Sequence, residues 1–200
     1  MFNHPIHEQL QKRILVIDGA MGTMLQAENL TYEDFGGEDL DGCNENLVLT
    51  RPDVLKKIHR AYLEVGADII CTNTFGGTPL VLNEYDLGHK ADAINTGAVK
   101  IALDAAREFS TPEWPRFVAG AMGPTTKTLS VTGGISFEEL EENFYQQAKA
   151  LIEAGADLIL LETSQDMLNV KAGTIAVHRA FTELGKEIPV MISGTIEPMG

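Results

Sequence analysis

EVGADII (residues 64–70) recurs as EAGADLI (residues 153–159), and the repeat shows how the chain is built. In both copies a helical stretch runs into a glycine, Gly66 or Gly155, then into Ala67 or Ala156, an aspartate and an apolar run. Glycine adopts the left-handed conformation that ends a helix without steric cost, and a small residue leaves room for a tight turn into a sheet. The same helix-to-strand step is taken twice, which favours a fold of repeated β/α units.

Outward from these junctions, short apolar runs end in polar residues. Ile14 to Ile17 closes on Asp18, and Asp68 to Cys71 closes on Thr72, Asn73 and Thr74. Phe117 to Gly120 leads into Ala121 to Pro124, Leu158 to Leu161 closes on Glu162 and Thr163, and Val190 to Ile192 is the fifth run. Continuous apolar strands of this length belong to parallel sheets covered by helices. Pro52 suits a first helical turn, and Val54, Leu55, Ile58, Ala61, Tyr62 and Val65 then share one helical face up to Gly66. Ser136 with Glu139 makes a capping box for a helix that carries Phe137, Leu140, Phe144, Ala148 and Leu151 to Gly155. Similar spacing predicts helices from about Ala91 to Phe109 and from about Met167 to Leu184.

The expected fold is α/β, a (β/α)8 TIM barrel of which residues 1–200 supply roughly the first five units. A doubly wound nucleotide-binding sheet shares the alternation, but DGAMGTMLQ (18–26) has no GxGxxG spacing and no GxxxxGK[ST] occurs. A polar group at nearly every strand's carboxyl end is where barrel enzymes place their chemistry. ISGTIEPMG (192–200) leaves the fifth strand for a loop, so the barrel is expected to be incomplete with an open edge.

The formal net charge of -14 repels phosphate backbones and anionic headgroups, which excludes nucleic acid as a partner. No apolar run approaches the ~18 residues that read as a membrane span, and MFNHPIHEQLQKR (1–13) holds no signal-like segment, so a cytoplasmic, non-membrane protein is expected. Cys43 and Cys71 are too few for a disulfide framework: Cys71, inside an apolar strand, reads as buried filler, and Cys43, in a polar loop, as a free thiol. His4, His7, His59, His89 and His178 show no metal-binding spacing and are taken as surface or helix residues.

Asp18 and Glu162 stand at the ends of two predicted strands, with carboxylates directed into the barrel mouth. Two such acids suit an amino-acid ammonium, which offers three donors and relieves their mutual repulsion. The same acids could equally cap loop amides, and spacing alone leaves both readings open. Gly19, Ala20, Met21, Gly22 and Thr23 form a lightly covered turn whose amides could take a carboxylate, or simply make a tight βα turn. Asn73 and Thr74, then Thr125, Thr126 and Lys127, add polar groups on neighbouring loops, of which only some are expected to touch a ligand.

DGAMGTMLQ (18–26), NENLVLTRPDVL (44–55), YLEVGADIICTNTFGG (62–77), AGAMGPTTKTLSVTGG (119–134) and AGADLILLETSQDMLNVKA (154–172) together resemble the homocysteine S-methyltransferase family. Within it they look most like the amino-terminal homocysteine-binding module of the cobalamin-dependent methionine synthases, rather than the shorter enzymes that use sulfonium methyl donors. The resemblance implies that homocysteine binds as a zinc thiolate and takes a methyl group from methylcobalamin, which another module of the same polypeptide holds and methyltetrahydrofolate recharges through a folate-binding module. It assigns the ammonium to Asp18 and Glu162 and the carboxylate to Ala20, Met21 and Gly22. The family's three zinc-binding cysteines lie on later strands, one isolated and two adjacent, so no metal ligand is expected in this chain and catalysis by it alone is not. The competing expectation is a non-catalytic or oligomerising module whose open edge a partner covers.

Overall fold

The computed structural model describes residues 4–127, 129 and 133–196. Thr128, Ser130, Val131 and Thr132 of the GPTTKTLSVTGG segment, and residues 197–200 of the expected closing loop, lie outside the described residues.

In chain order the elements are α1 (Pro5–Leu10), α2 (Met21–Ala27), α3 (Tyr32–Phe35), α4 (Leu47–Thr50), α5 (Pro52–Glu64), β1 (Ile69–Cys71), α6 (Pro79–Leu82), α7 (Ala91–Phe109), β2 (Phe117–Met122), α8 (Phe137–Glu153), β3 (Leu158–Ser164), α9 (Met167–Leu184) and β4 (Val190–Gly194). Short 3₁₀ turns sit between some of them. The strands form one parallel sheet in the order β1-β2-β3-β4. A doubly wound sheet reverses direction at a switch point, whereas this order is sequential.

Alternation along each strand separates two faces. Ile70 and Val118 pack with Leu63 of α5 and Ala102, Ala105 and Ala106 of α7, while Ile159 and Leu161 pack with α8 and α9. Ile69, Phe117, Ala119, Leu158 and Leu160 share the opposite face with Ile6 of α1. The four long helices therefore cover one face and the other turns inward, as in an arc of a barrel. No helix among the described residues is long and apolar enough to cross a membrane.

Both repeated junctions fold alike. Gly66 and Gly155 hold φ of +107° and +101°, and Ala67 N and Ala156 N return to Tyr62 O and Leu151 O at 3.0 and 3.1 Å. The following aspartates then act in parallel. Asp68 N donates to Val16 O at 2.7 Å while Val16 N donates to the Asp68 carboxylate at 2.8 Å. Asp157 N donates to Val118 O at 2.9 Å while Val118 N donates to the Asp157 carboxylate at 2.8 Å. Each aspartate thus clamps the preceding segment by both its main chain and its side chain. Asp68 also accepts from Arg13 and the Trp114 indole, at 2.8 and 2.6 Å. Burial opposes its charge, but the Val16 amide, Trp114 and Arg13 outweigh burial and hold its carboxyl below the usual range.

Two expectations about strands change. Ile14 to Ile17 is not a covered strand: it makes one parallel bridge, Ile17 to Ile69, and Ile14 is 88% exposed. The Val16 amide goes to a side chain instead of a ladder, and the segment has no strand on its far flank among the described residues. β3 does not stop at Leu161 but runs to Ser164, with an irregular register against β4 between Leu161 and Ser164. The helices predicted over 91–109 and 167–184 form with those limits, and the Ser136–Glu139 capping box is made in both directions.

The clamps lead to a ranking of stabilities. Asp68→Ala leaves Arg13 and the buried Arg116 without their acid and should cost about 3 kcal/mol. Asp157→Ala loses one amide partner and should cost roughly 1–2 kcal/mol. Urea unfolding of both variants checks the order.

Candidate functional site

The site lies at the carboxyl ends of the strands. The bridge at Ile17 brings the next residue over β1: Asp18 N donates to Ile69 O at 2.8 Å, and Cys71 N donates to Asp18 Oδ2 at 2.9 Å. Asp18 Oδ1 is buried and has no hydrogen-bond partner. Burial pushes this carboxyl up to about 6, against the pull of the hydrogen bonds from Cys71. Glu162 follows Leu158 and Leu160 on the inner face of β3, so the pleat carries it inward. Burial first, and then the negative charge of Asp18, raises its pKa above the ordinary value.

Both acids line one cavity of about 630 Å³, together with Gly19, Ala20, Met21, Gly22 and Asn73. The turn expected to receive a carboxylate has no side-chain cap at Ala20, which leaves the first amides of α2 without a side-chain acceptor. Gly19 is required by close approach, because a Cβ there would stand 2.9 Å from the Tyr62 hydroxyl, which donates to Ala20 O at 3.0 Å. Thr163, next to Glu162, has a φ of +56°. For a β-branched residue this is a strained conformation, of the kind that persists where the surroundings impose it, and it coincides with the irregular register of β3.

A profile of the homocysteine S-methyltransferase family matches residues 15–200. The chain belongs to that family. It is 44% identical over 193 residues to a methionine synthase of Mycobacterium leprae (strain TN), covering 96% of this chain and 16% of that protein. It is 42% identical over 200 residues to a methionine synthase of Mycobacterium tuberculosis (strain ATCC 25618 / H37Rv), covering 100% and 16%. The chain thus spans about a sixth of the length of these relatives. The homocysteine methyltransferase MmuM from Escherichia coli shares the fold: its oxidized form aligns with a TM-score of 0.76 at 22% identity over 94% of this chain and 65% of that one. Its metallated form gives 0.75 at 21% identity, over 94% and 66%.

Not every residue singled out in the sequence reaches the cavity. Thr23 lies outside its lining and donates to Ala20 O at 3.3 Å. Asn73 does line it, but its amide donates to Asn44 O at 2.7 Å and so holds the wall together. Thr74 is fully buried and donates to Ala121 O, while Thr125 donates to Lys127 O and Thr126 to Glu84. Lys127 is exposed and outside the cavity. Cys43 is a buried core residue and not part of an open polar loop, and Cys71, half-buried, faces the cavity. His59 is buried in α5, where burial lowers its pKa to about 4.

Thr72, at the polar end of its apolar run, also lines the cavity, as do Asn44, Glu45 and Phe75, which had no sequence signal of their own. Glu45 accepts from Gly76 N at 2.7 Å, which ties two loops distant in sequence into one wall. Among the described residues, no three His, Cys, Asp or Glu side chains are grouped to hold a metal ion.

Gly19→Ala should push the Tyr62 ring aside and break its bond to Ala20, at a cost of roughly 1–3 kcal/mol. A thermal melt of this variant beside Tyr62→Phe checks whether the loss comes through the ring.

Proposed function

We propose that this chain supplies the amino-acid-binding part of a homocysteine methyltransferase of the methionine synthase type. The carrying observation is that Asp18 and Glu162, far apart in sequence, meet at one cavity whose described lining holds Asp18, Glu45 and Glu162 and no cationic side chain. Such a cavity suits an ammonium group, whose charge offsets two carboxylates raised by burial. The amides from Gly19 to Gly22 take the substrate carboxylate, and Thr23 and Asn73 support that turn and wall. Homocysteine is thereby held by its amino-acid end, with its sulfur left as the methyl acceptor.

The described residues fit no metal ion, so the reading gives them binding and orientation and derives no step through zinc. The methyl donor in this reading is methylcobalamin, recharged from methyltetrahydrofolate, both held by other modules of the same polypeptide. The identity with two methionine synthases supports that choice over a sulfonium donor. The free thiols of Cys43 and Cys71 are in keeping with a reducing, cytoplasmic setting.

Calorimetric titration of the full-length protein with homocysteine tests the assignment. Glu162→Gln keeps the shape and removes the charge, and should weaken binding by roughly 1.5–3 kcal/mol, tenfold or more. Undiminished affinity in that variant sinks the reading. The desamino analogue 4-mercaptobutanoate should bind poorly to wild type and show no further loss in Glu162→Gln.

The pH dependence has a definite sign. The Asp18 carboxyl, raised to about 6, must ionise to hold an ammonium, so affinity rises with pH through that value. Binding should be about tenfold weaker at pH 5 than at pH 7, following the ionised fraction of such a group. Asp18→Asn should flatten most of this step, leaving only the part due to Glu162.

A further inference from the structure

β3 has a cavity on each side. Leu160 and Glu162 line the amino-acid cavity on its inner face, while Leu161 and Thr163 line a second cavity of about 390 Å³ between the sheet and the helices α8 and α9. The two share no lining residue among those described. The walls of the second are mainly apolar: Met122 and Leu161 come from the sheet, Phe144 from α8 and Val170 from α9.

One polar group is out of place in such a gap. Asn169, in the first turn of α9, is only 7% exposed and lines the cavity, yet its side-chain amide makes no hydrogen bond among the described residues. Other polar groups of the wall are engaged within the protein: the Asp166 carboxylate accepts from Leu168 N at 2.8 Å, and the Thr125 hydroxyl donates to Lys127 O at 2.6 Å. A buried amide without a partner is costly, and proteins seldom keep one unless something else supplies the partner. Thr163, on the same wall, holds its φ of +56°, and strain of that kind collects at ligand clamps.

We propose that this second cavity binds a small neutral molecule with a flat apolar body and one edge that carries an N–H donor beside a C=O acceptor. The Asn169 carboxamide offers an acceptor oxygen and N–H donors side by side, so it pairs with such an edge through two parallel hydrogen bonds. The volume, and apolar walls around a convergent polar group, are those of a small-molecule pocket. Charge on the ligand is disfavoured. No Lys, Arg or His lines the cavity among the described residues to receive an anion, and an ion of either sign would lose its hydration against Met122, Phe144, Leu161 and Val170. A wholly apolar molecule would leave the amide unpaired. The site lies between a sheet and a layer of helices, a space that a flat ring fills without parting them. None of its residues belongs to the amino-acid cavity, so it stands independently of the function proposed there.

Two measurements on the full-length protein test this. The first is calorimetric titration with 2-quinolone, a bicyclic lactam, and with quinoline, the same ring system without the lactam edge. Wild type should bind 2-quinolone about tenfold more tightly than quinoline. Asn169→Leu keeps the side-chain volume and removes the amide, so this preference should vanish while quinoline binds as well as before. An undiminished preference in Asn169→Leu, or no binding of 2-quinolone to wild type at millimolar concentration, overturns the proposal. Excess homocysteine should leave the 2-quinolone affinity unchanged; displacement would put the probe in the first cavity and overturns the proposal as well. The second measurement needs no ligand: hydrogen exchange of the α9 amides, read on their peptides by mass spectrometry. Asn169→Leu should exchange no faster than wild type there, because an unpaired amide is traded for apolar contact. Faster exchange means that the amide had a partner within the protein, and overturns the proposal.

Discussion

The structure depends on two aspartates that set strand register from below. A strand alternates its side chains, so a slip of one residue moves its whole inner set to the outer face. Asp157 engages both the N–H and the C=O of Val118, and that fixes which residues of β3 point inward. Leu158, Leu160 and Glu162 then face inward, Leu160 and Glu162 lining the cavity, while Ile159 and Leu161 face α8 and α9. Asp68 does the same for the segment before it, and so places Asp18 one residue beyond the Ile17 bridge. The two acids of the cavity meet because two other acids, at the opposite ends of their strands, allow one register only.

The cavity reverses the electrostatic logic of the Asp68 clamp. Asp68 is buried but surrounded by donors, and its charge is favoured. Asp18 and Glu162 are short of donors, and burial makes their charges unfavourable when nothing is bound. Paired acids arranged in this way are poor structural elements and good cation ligands. The strained Thr163 beside Glu162 fits the same pattern, since local strain persists where packing elsewhere can sustain it.

Much of this was legible in the sequence because its signals were local. Helix ends at Ala91, Phe109, Met167 and Leu184, and the Ser136–Glu139 box, follow from spacing and capping within one turn. Asp18 and Glu162 could be paired because each ends an apolar run, and the resemblance to the homocysteine S-methyltransferases pointed to the same two positions. The misreadings have non-local causes. Ile14 to Ile17 is as apolar as any strand, but its amide at Val16 is taken by a side chain 52 residues away. Glu45 and Asn44 become cavity wall only through bonds to Gly76 and Asn73 on another loop, and no periodicity announces such a contact. Cys43 looked like a loop residue from its polar neighbours, yet its side chain turns into the core beside Leu47 and Leu82.

Both register clamps reach backwards along the chain, from Asp68 to Val16 and from Asp157 to Val118. When a polypeptide leaves the ribosome amino end first, each new strand therefore meets a template that has already emerged. Neither clamp has to wait for sequence not yet synthesised, so the arc can be laid down one unit at a time in the order of translation.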